Sequence, residues 1–312
     1  MPERAPLLVA DIPWLLYRSY FALPSSITDG EGRPVNALLG TVNALLAVLV
    51  ERPARAVVAC FGAEQASYRV ELYPPYHAHR DPMPPELAAQ WTRAAALLAS
   101  LAWVVCDAGE LEADDAIYSH ARAEAERGGR ALLLTGDRDL FAAVDDRVAI
   151  VELAKGGVAG EVGPAQVRER YGVDPAQVAD FIALRGDPSD GLPGAPGVGA
   201  KTAAELLSRY GSLEGVLVAA GASGVNSDRG ADGAGSAARA VRAAHEMRPR
   251  IAAALRDHAD QLRAFQEIAT LQRISVDPVP DRPTDFAAGA SAARSMGMNR
   301  LAARLTQLES SR

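Results

Sequence analysis

At 312 residues and 49% hydrophobic, the chain is long enough for one large domain or two moderate ones and can bury a substantial core. No apolar run reaches the length of a membrane span, the start MPERAPLLVADIPW lacks a signal-peptide pattern, and two cysteines are too few for a disulfide framework. A cytoplasmic protein with no membrane role is expected, and its net charge of −7 argues against a plain basic nucleic-acid binder unless the acids are gathered where cations neutralise them.

In chain order, PLLVA (6–10) predicts a fully apolar strand ending at Asp11, and NALLGTVNALLAVLVE (36–51) has the length and period of a helix. ARAVVACF (54–61) predicts a second strand, ending at Gly62. PPELAAQWTRAAALLASL (84–101) predicts a long helix opened by proline, a favoured first position. AWVVC (102–106) is a third strand, followed by an acidic cluster and a helix to about Arg127. RALLLT (130–135) ends just before Asp137, and RVAIVEL (147–153) is a fifth strand. Cys60 and Cys106 each close an apolar run and read as small buried residues.

Strands alternating with helices imply an α/β fold, a mostly parallel central sheet with helices on both faces. Runs apolar throughout fit strands buried on both sides. Ligand sites in such sheets lie beyond the carboxyl ends of the strands, where Asp11 and Asp137 fall. After about residue 162 the strands stop. PAQVRERYG and PAQVADFIALRG read as short helices, and 186–217 reads as loop, helix, turn, helix. The small-residue stretch 221–238 reads as a flexible loop, and 239–312 as helical with a break at 275–286. The expected division is 1–162 for the sheet domain and 163–312 for a helical domain.

The acids carry the strongest chemical signal. GELEADDAIYS places Glu110, Glu112, Asp114 and Asp115 within six positions, where they repel one another. TGDRDL adds Asp137 and Asp139, and GDPSDG adds Asp187 and Asp190. Glu112 and Asp115, three apart, would share a helix face, and Asp137 and Asp139 would point the same way from a strand end. Hard divalent ions such as Mg²⁺ take oxygen ligands, and two ions about 4 Å apart clamp the attacking and leaving oxygens of a phosphodiester. Each piece also has a plainer reading: helix capping for EADD, a solvated turn for DRD, an Asx turn for DPSDG. Three acidic groups converging on one sheet edge favour a metal site over three separate coincidences.

LPGAPGVGAKTAAELL (192–207) has the pattern of a helix–hairpin–helix. Gly197 and Gly199 permit a tight turn with exposed amides at the next helix's start, a phosphate-binding arrangement. Lys201 and Thr202 add a charge and a hydroxyl. Arginine otherwise replaces lysine almost everywhere, since only Lys155 and Lys201 occur, so Lys201 stands out. A purely structural turn is the alternative. Contacts of this type grip the nucleic-acid backbone without reading sequence.

Taken together, LLVADIPWLLYRSYFALP, GRPVNALLGTVNALL, SYRVELYPPYHAHR, ELEADDAI, LLLTGDRDLFAAV, ERYGV and LRGDPSDGLPGAPGVGAKTAAELLSRYGSLEGVL resemble the bacterial 5′–3′ exonuclease and flap endonuclease family, which includes the 5′-nuclease domain of DNA polymerase I. The matching segments run in family order from residue 7 to about 217, and the chain reads as a stand-alone version. The resemblance implies a PIN-like nuclease core with a helical arch near 73–95 and a helix–hairpin–helix near 186–217. It implies two-metal hydrolysis, with Mg²⁺ or Mn²⁺, of DNA 5′ ends, flaps, nicks and duplex ends, by a monomer. Family metal ligands carry over at Asp11, Glu112, Asp114, Asp115, Asp137, Asp139, Asp187 and Asp190. A potassium ion beside the duplex backbone is implied around GAPGVG, and Tyr17, Arg18 and Arg80 match DNA-contacting positions.

Three positions depart from the family. Gly62 stands where the second strand ends in a metal-holding aspartate, His77 where the arch carries a phosphate-stabilising lysine, and Ile12-Pro13 where a glycine follows the first aspartate. Glu64 is the nearby acid that would substitute for the missing one. Losing one phosphate-stabilising group costs roughly a hundredfold or more in rate. Two readings stay open: a nuclease with altered or weakened chemistry, and a relative that binds flap or nicked DNA without efficient cleavage. A third, more remote, is an RNA-cleaving relative of the same fold.

Overall fold

The structure is a computed structural model; it describes residues 4–154, 157–225 and 247–311. All five expected strands form: β1 (Leu7–Asp11), β2 (Ala56–Phe61), β3 (Val104–Asp107), β4 (Ala131–Leu134) and β5 (Val148–Ala154). Among the described residues they build one sheet in the order β3-β2-β1-β4-β5-β6. β1 to β5 are parallel, and β6 (Gly157–Val162) returns antiparallel on β5. This sixth strand is an addition to the sequence expectation. GVAGEV has two glycines and no apolar run, so pairing with β5 supplies what its own propensity lacks.

Alternation along the strands sends side chains to two faces. Leu8, Ala10, Val57, Ala59, Leu132 and Leu134 join a core with α1 (Ile12–Ala22), α2 (Asn36–Glu51) and α4 (Pro85–Ser100). The opposite face, with Val9 and Val58, is covered by α5 (Ala113–Glu126), which buries Ile117 and Ala121. Asp11 ends β1 on that second face by the same alternation. It is the N-cap of α1 and accepts from the Trp14 amide, while Pro13 sits in the first turn, where a missing N–H costs nothing. The Ile12-Pro13 departure is thereby accommodated, with Ile12 fully buried.

The chain forms two compact units, and their borders differ from 1–162 and 163–312. One unit holds residues up to Ser67, Asp81–Pro164 and everything from Leu271 on; the other holds Tyr68–Arg80 and Ala165–Thr270. The tail returns to the first unit because α12 (Phe286–Ser295) and α13 (Asn299–Ser310) bury Phe286, Ala290, Leu301 and Leu305 in the α4 core. Trp103 Nε1 donates to Thr284 Oγ1 at 2.9 Å, and Arg55 pairs with both Glu124 and Asp281. A helical arch over 73–95 does not form as one element. Residues after α3 (Ser67–Leu72) run as turns through Arg80, and α4 buries Leu87, Gln90, Ala94, Leu97 and Leu98. An apolar face that complete commits α4 to the core.

The second unit is helical: α6 (Pro164–Tyr171), α7 (Val178–Arg185), α8 (Ala200–Tyr210), α9 (Leu213–Val225), α10 (Pro249–Asp257) and α11 (Ala259–Ala269). Phe181, Leu184, Leu207, Val216, Leu255 and Phe265 are its buried centre. The side chain of Asp180 ties α9 to α11 by accepting from the Leu213 amide and from Gln266. The expected loop at 221–238 lies outside the described residues from 226 on. No helix among the described residues is long and apolar enough to cross a membrane.

Candidate active site

In the first unit, Asp11 is the anchor. Its Oδ1 accepts from the Trp14 amide at 3.0 Å and its Oδ2 from Thr135 Oγ1 at 2.7 Å. Burial pushes its carboxyl up to about 6; the Trp14 amide and Thr135 hydroxyl oppose the rise, and the negative charge of Asp137 adds to it. Thr135 also accepts from the Asp137 backbone amide at 2.9 Å, so one hydroxyl links the Asp11 carboxylate to the Asp137 main chain. Sequence reading passed over Thr135. Its signal was position, the last residue of an apolar strand before Gly-Asp. Gly136 is fixed by Trp14, whose indole atoms would lie 2.4 Å from a Cβ there.

Asp137 and Asp139 do not alternate along a strand. β4 ends at Leu134, Asp137 Oδ1 accepts from the Asp139 amide at 2.9 Å, and Asp139 opens a 3-10 turn. A short polar side chain can cap its own following turn, and here that outweighs extension. Glu112 is the N-cap residue of α5 and is buried; its Oε1 accepts from the Ala66 amide at 2.8 Å. Asp114 and Asp115 lie in the first turn of α5, with Asp114 partly exposed. Asp115 is fully buried, and its Oδ1 accepts from the Gln272 amide at 2.7 Å. Tyr17 donates to Glu64 Oε1 at 3.0 Å, which aims the candidate substitute acid at an α1 hydroxyl. Arg18 lies over the Trp14 ring at 5.7 Å, and Tyr17 stacks on Phe21, which is 72% exposed.

Among the described residues, no three Asp, Glu, His or Cys side chains stand close enough to hold a metal ion together. A hydrated Mg²⁺ needs less, since it keeps several waters and binds through one or two carboxylates. Asp11 is buried, and the negative charge of Asp137 adds to the rise of its carboxyl.

In the second unit, Asp187 and Asp190 share the loop before the hairpin. Asp187 Oδ1 accepts from the Ser189 amide at 2.8 Å and its Oδ2 from Arg185 at 3.3 Å. Asp190 Oδ1 takes His77 Nε2 at 3.1 Å and Arg80 Nη2 at 2.9 Å. Burial raises the Asp190 carboxyl, but the His77 hydrogen bond and the charges of His77, Arg80 and Arg69 prevail and hold it below the usual carboxylate range. His77 is buried and in a left-handed conformation (φ 54°), with its ring stacked on Tyr76 at 3.8 Å. It is a clamp on Asp190 in this arrangement, at the position where the family pattern carries a phosphate-stabilising lysine.

A lowered carboxyl stabilises above its unfolded value and loses that contribution as pH falls through the folded one. Asp190→Asn is therefore expected to cost about 1–3 kcal/mol at pH 7. The deficit against wild type should shrink below pH about 4. Urea titrations at both pH values test this, and an equal deficit at each would remove charge as the cause.

The hairpin is open. Gly197 adopts φ +80°, Gly199 is the N-cap of α8 without a side-chain cap, and a Cβ at either would meet nothing within 4 Å. Lys201 is 92% exposed, its Nζ 4.0 Å from Glu205, and Thr202 is partly exposed. Just before them, Gly186 and Gly194 pass so closely that a Cβ on Gly194 would lie 2.3 Å from the Gly186 amide nitrogen.

Residues 6–172 match the 5′–3′ exonuclease N-terminal resolvase-like domain, and residues 173–288 the 5′–3′ exonuclease C-terminal SAM fold. The chain is 38% identical over 238 residues to a 5′–3′ exonuclease of Mycobacterium tuberculosis, covering 70% of this chain and 74% of that one. It is 39% identical over 211 residues to the thermostable DNA polymerase I of Thermus thermophilus, covering 68% of this chain and 25% of the polymerase. Among solved structures, a bacteriophage T5 flap endonuclease complexed with DNA and metal ions superposes with a TM-score of 0.64 at 15% identity, covering 97% of this chain and 98% of that one. The catalytic core of Rad2 in complex with DNA substrate gives 0.59 at 14% identity, covering 97% and 93%. The structural likeness carries the fold, and the sequence matches carry the kinship: this chain belongs to the 5′–3′ exonuclease family.

Proposed function

We propose that the protein cleaves phosphodiesters at DNA 5′ ends and flaps with a divalent cation, Mg²⁺ or Mn²⁺, held at Asp11 and Asp137. The observation that carries this reading is the Asp11–Asp137 pair, a buried carboxylate raised to about 6 beside a second acid. A cation bound there supplies charge to a scissile phosphate and an acidified water. Thr135 ties the Asp11 carboxylate to the Asp137 main chain, and Glu112, Asp114, Asp115 and Asp139 add further negative charge to the same unit. In the second unit the α8 amides, with Lys201 and Thr202, grip the DNA backbone without reading bases. Asp187 and Asp190 as ligands, and a potassium ion at the hairpin, rest on the family resemblance.

Cleavage of a 5′-labelled flap duplex with Mg²⁺ or Mn²⁺ is the test. Metal-dependent cutting lost in Asp137→Ala supports the reading; cutting that survives the substitution refutes it. A second reading, flap binding without efficient cleavage, is favoured by the His77–Asp190 clamp. Tight binding with no cutting would select it. On either reading, Lys201→Ala is expected to weaken binding evenly across DNA sequences and to lower the salt slope by about 1. Fluorescence anisotropy at several salt concentrations reads this, and a sequence-dependent loss would contradict a backbone role.

A further inference from the structure

Cys60 and Cys106 are register partners on β2 and β3. Neighbouring strands lie about 4.7–4.9 Å apart and opposed residues point to the same face. That spacing falls within the roughly 4.4–6.8 Å Cα separation that a disulfide spans. Cys60 is fully buried and Cys106 half-buried, so one sulfur is open to a small solute and the other is held behind it. His120 of α5 lies against Cys106, and its Nε2 is buried without a hydrogen-bond partner. Nothing in phosphodiester hydrolysis uses these three residues.

We propose that Cys60 and Cys106, positioned by His120, are a peroxide-oxidisable thiol pair that closes into a reversible disulfide between β2 and β3. Cys106 is the half-buried member of the pair and Cys60 is fully buried, so peroxide reaches Cys106 first and Cys106 is the attacking thiol. The Cys106 thiolate attacks one oxygen of hydrogen peroxide; an S–O bond forms, the O–O bond breaks, and the departing hydroxide takes up a proton. The Cys60 sulfur then attacks the Cys106 sulfenic acid; the S–S bond forms, the S–O bond breaks, and a second water leaves with the Cys60 proton. Two thiols lose two electrons, and one peroxide becomes two waters. The bridge lies directly below two interlocked loops, where Ala108 donates to the Phe61 carbonyl and Ala63 to that of Leu111.

The full chain, treated with hydrogen peroxide and read by intact mass and peptide mapping, tests this. Expected are a loss of about 2 Da, a cross-linked peptide pair containing Cys60 and Cys106, protection of both from iodoacetamide, and recovery with dithiothreitol. Wild-type protein suffices, so a misfolded variant cannot obscure the result. A gain of about 32 Da at Cys106 with Cys60 still alkylatable overturns the proposal, as does a Cys106–Cys106 dimer. His120→Gln is expected to slow disulfide formation about tenfold with the same final product; an unchanged rate removes His120 from it. In Cys60→Ala, oxidation should halt at a Cys106 sulfenic acid that dimedone traps. Failure to trap one would overturn the order of attack. These readouts are independent of nuclease activity.

Discussion

Asp11→Asn is expected to abolish cleavage and at the same time raise the melting temperature of the metal-free protein. The carboxyl rises from 3.8 to about 6 on folding. A raised carboxyl favours the folded state while protonated, so stability falls as pH climbs from about 4 through 6, and the loss is complete above that. The rise corresponds to about 3 kcal/mol at pH 7. Asparagine keeps an oxygen for the Trp14 amide and can donate to Thr135, yet carries no charge to bury beside Asp137. The variant should gain up to that amount, or several degrees in Tm, at pH 7. Its stability should also vary less between pH 4 and 7 than that of wild type. Saturating Mg²⁺ or Mn²⁺ should raise the wild-type Tm and leave the variant nearly unchanged. A variant less stable than wild type at pH 7 would show that the Asp11 hydrogen bonds outweigh its charge. A wild-type Tm indifferent to metal would remove the occupied site altogether.

The acid pair was legible in the sequence because fully apolar runs mark buried parallel strands, and the residue after each run falls at the sheet's carboxyl edge. Asp11, directly after PLLVA, and Asp137, one residue beyond the end of RALLLT, follow from that rule. What closes the site did not follow from it. Thr135 reads as one more strand residue until its hydroxyl is seen between two acids. The turn at Asp137–Asp139 is a competition between side-chain capping and strand extension, which residue types leave undecided. The tail from Leu271 is amphipathic, and amphipathicity names a buried face without naming what buries it. Cys60 and Cys106 are separated by two helices in sequence, and only strand register makes them neighbours.

Gly62→Asp, the substitution that returns the family's acid to the second strand, is expected to destabilise this chain and to leave cleavage no faster. A Cβ at Gly62 would lie 2.5 Å from the Ala113 nitrogen and 2.6 Å from both the Glu112 carbonyl carbon and the Leu111 oxygen. These are backbone atoms, and they are held there. Ala63 donates to the Leu111 carbonyl at 2.8 Å, and the Ala66 amide donates to Glu112 Oε1 at 2.8 Å. The backbone has closed into the space an aspartate would fill, and that closeness is what orients Glu112. Any side chain must push the two loops apart, which combines overpacking with loss of a hydrogen bond, about 2–4 kcal/mol. Gly62→Ala should lose nearly as much, because the clash begins at Cβ. Glu64, the nearby acid, accepts from Tyr17. Thermal melts of both variants, beside flap cleavage at several metal concentrations, decide the matter. An aspartate variant as stable as wild type and faster in cleavage would show that the loops yield and that an acid was all the position lacked. Matched destabilisation of the alanine and aspartate variants would instead mark Gly62 as a structural commitment, one that leaves Asp11 and Asp137 to hold the metal.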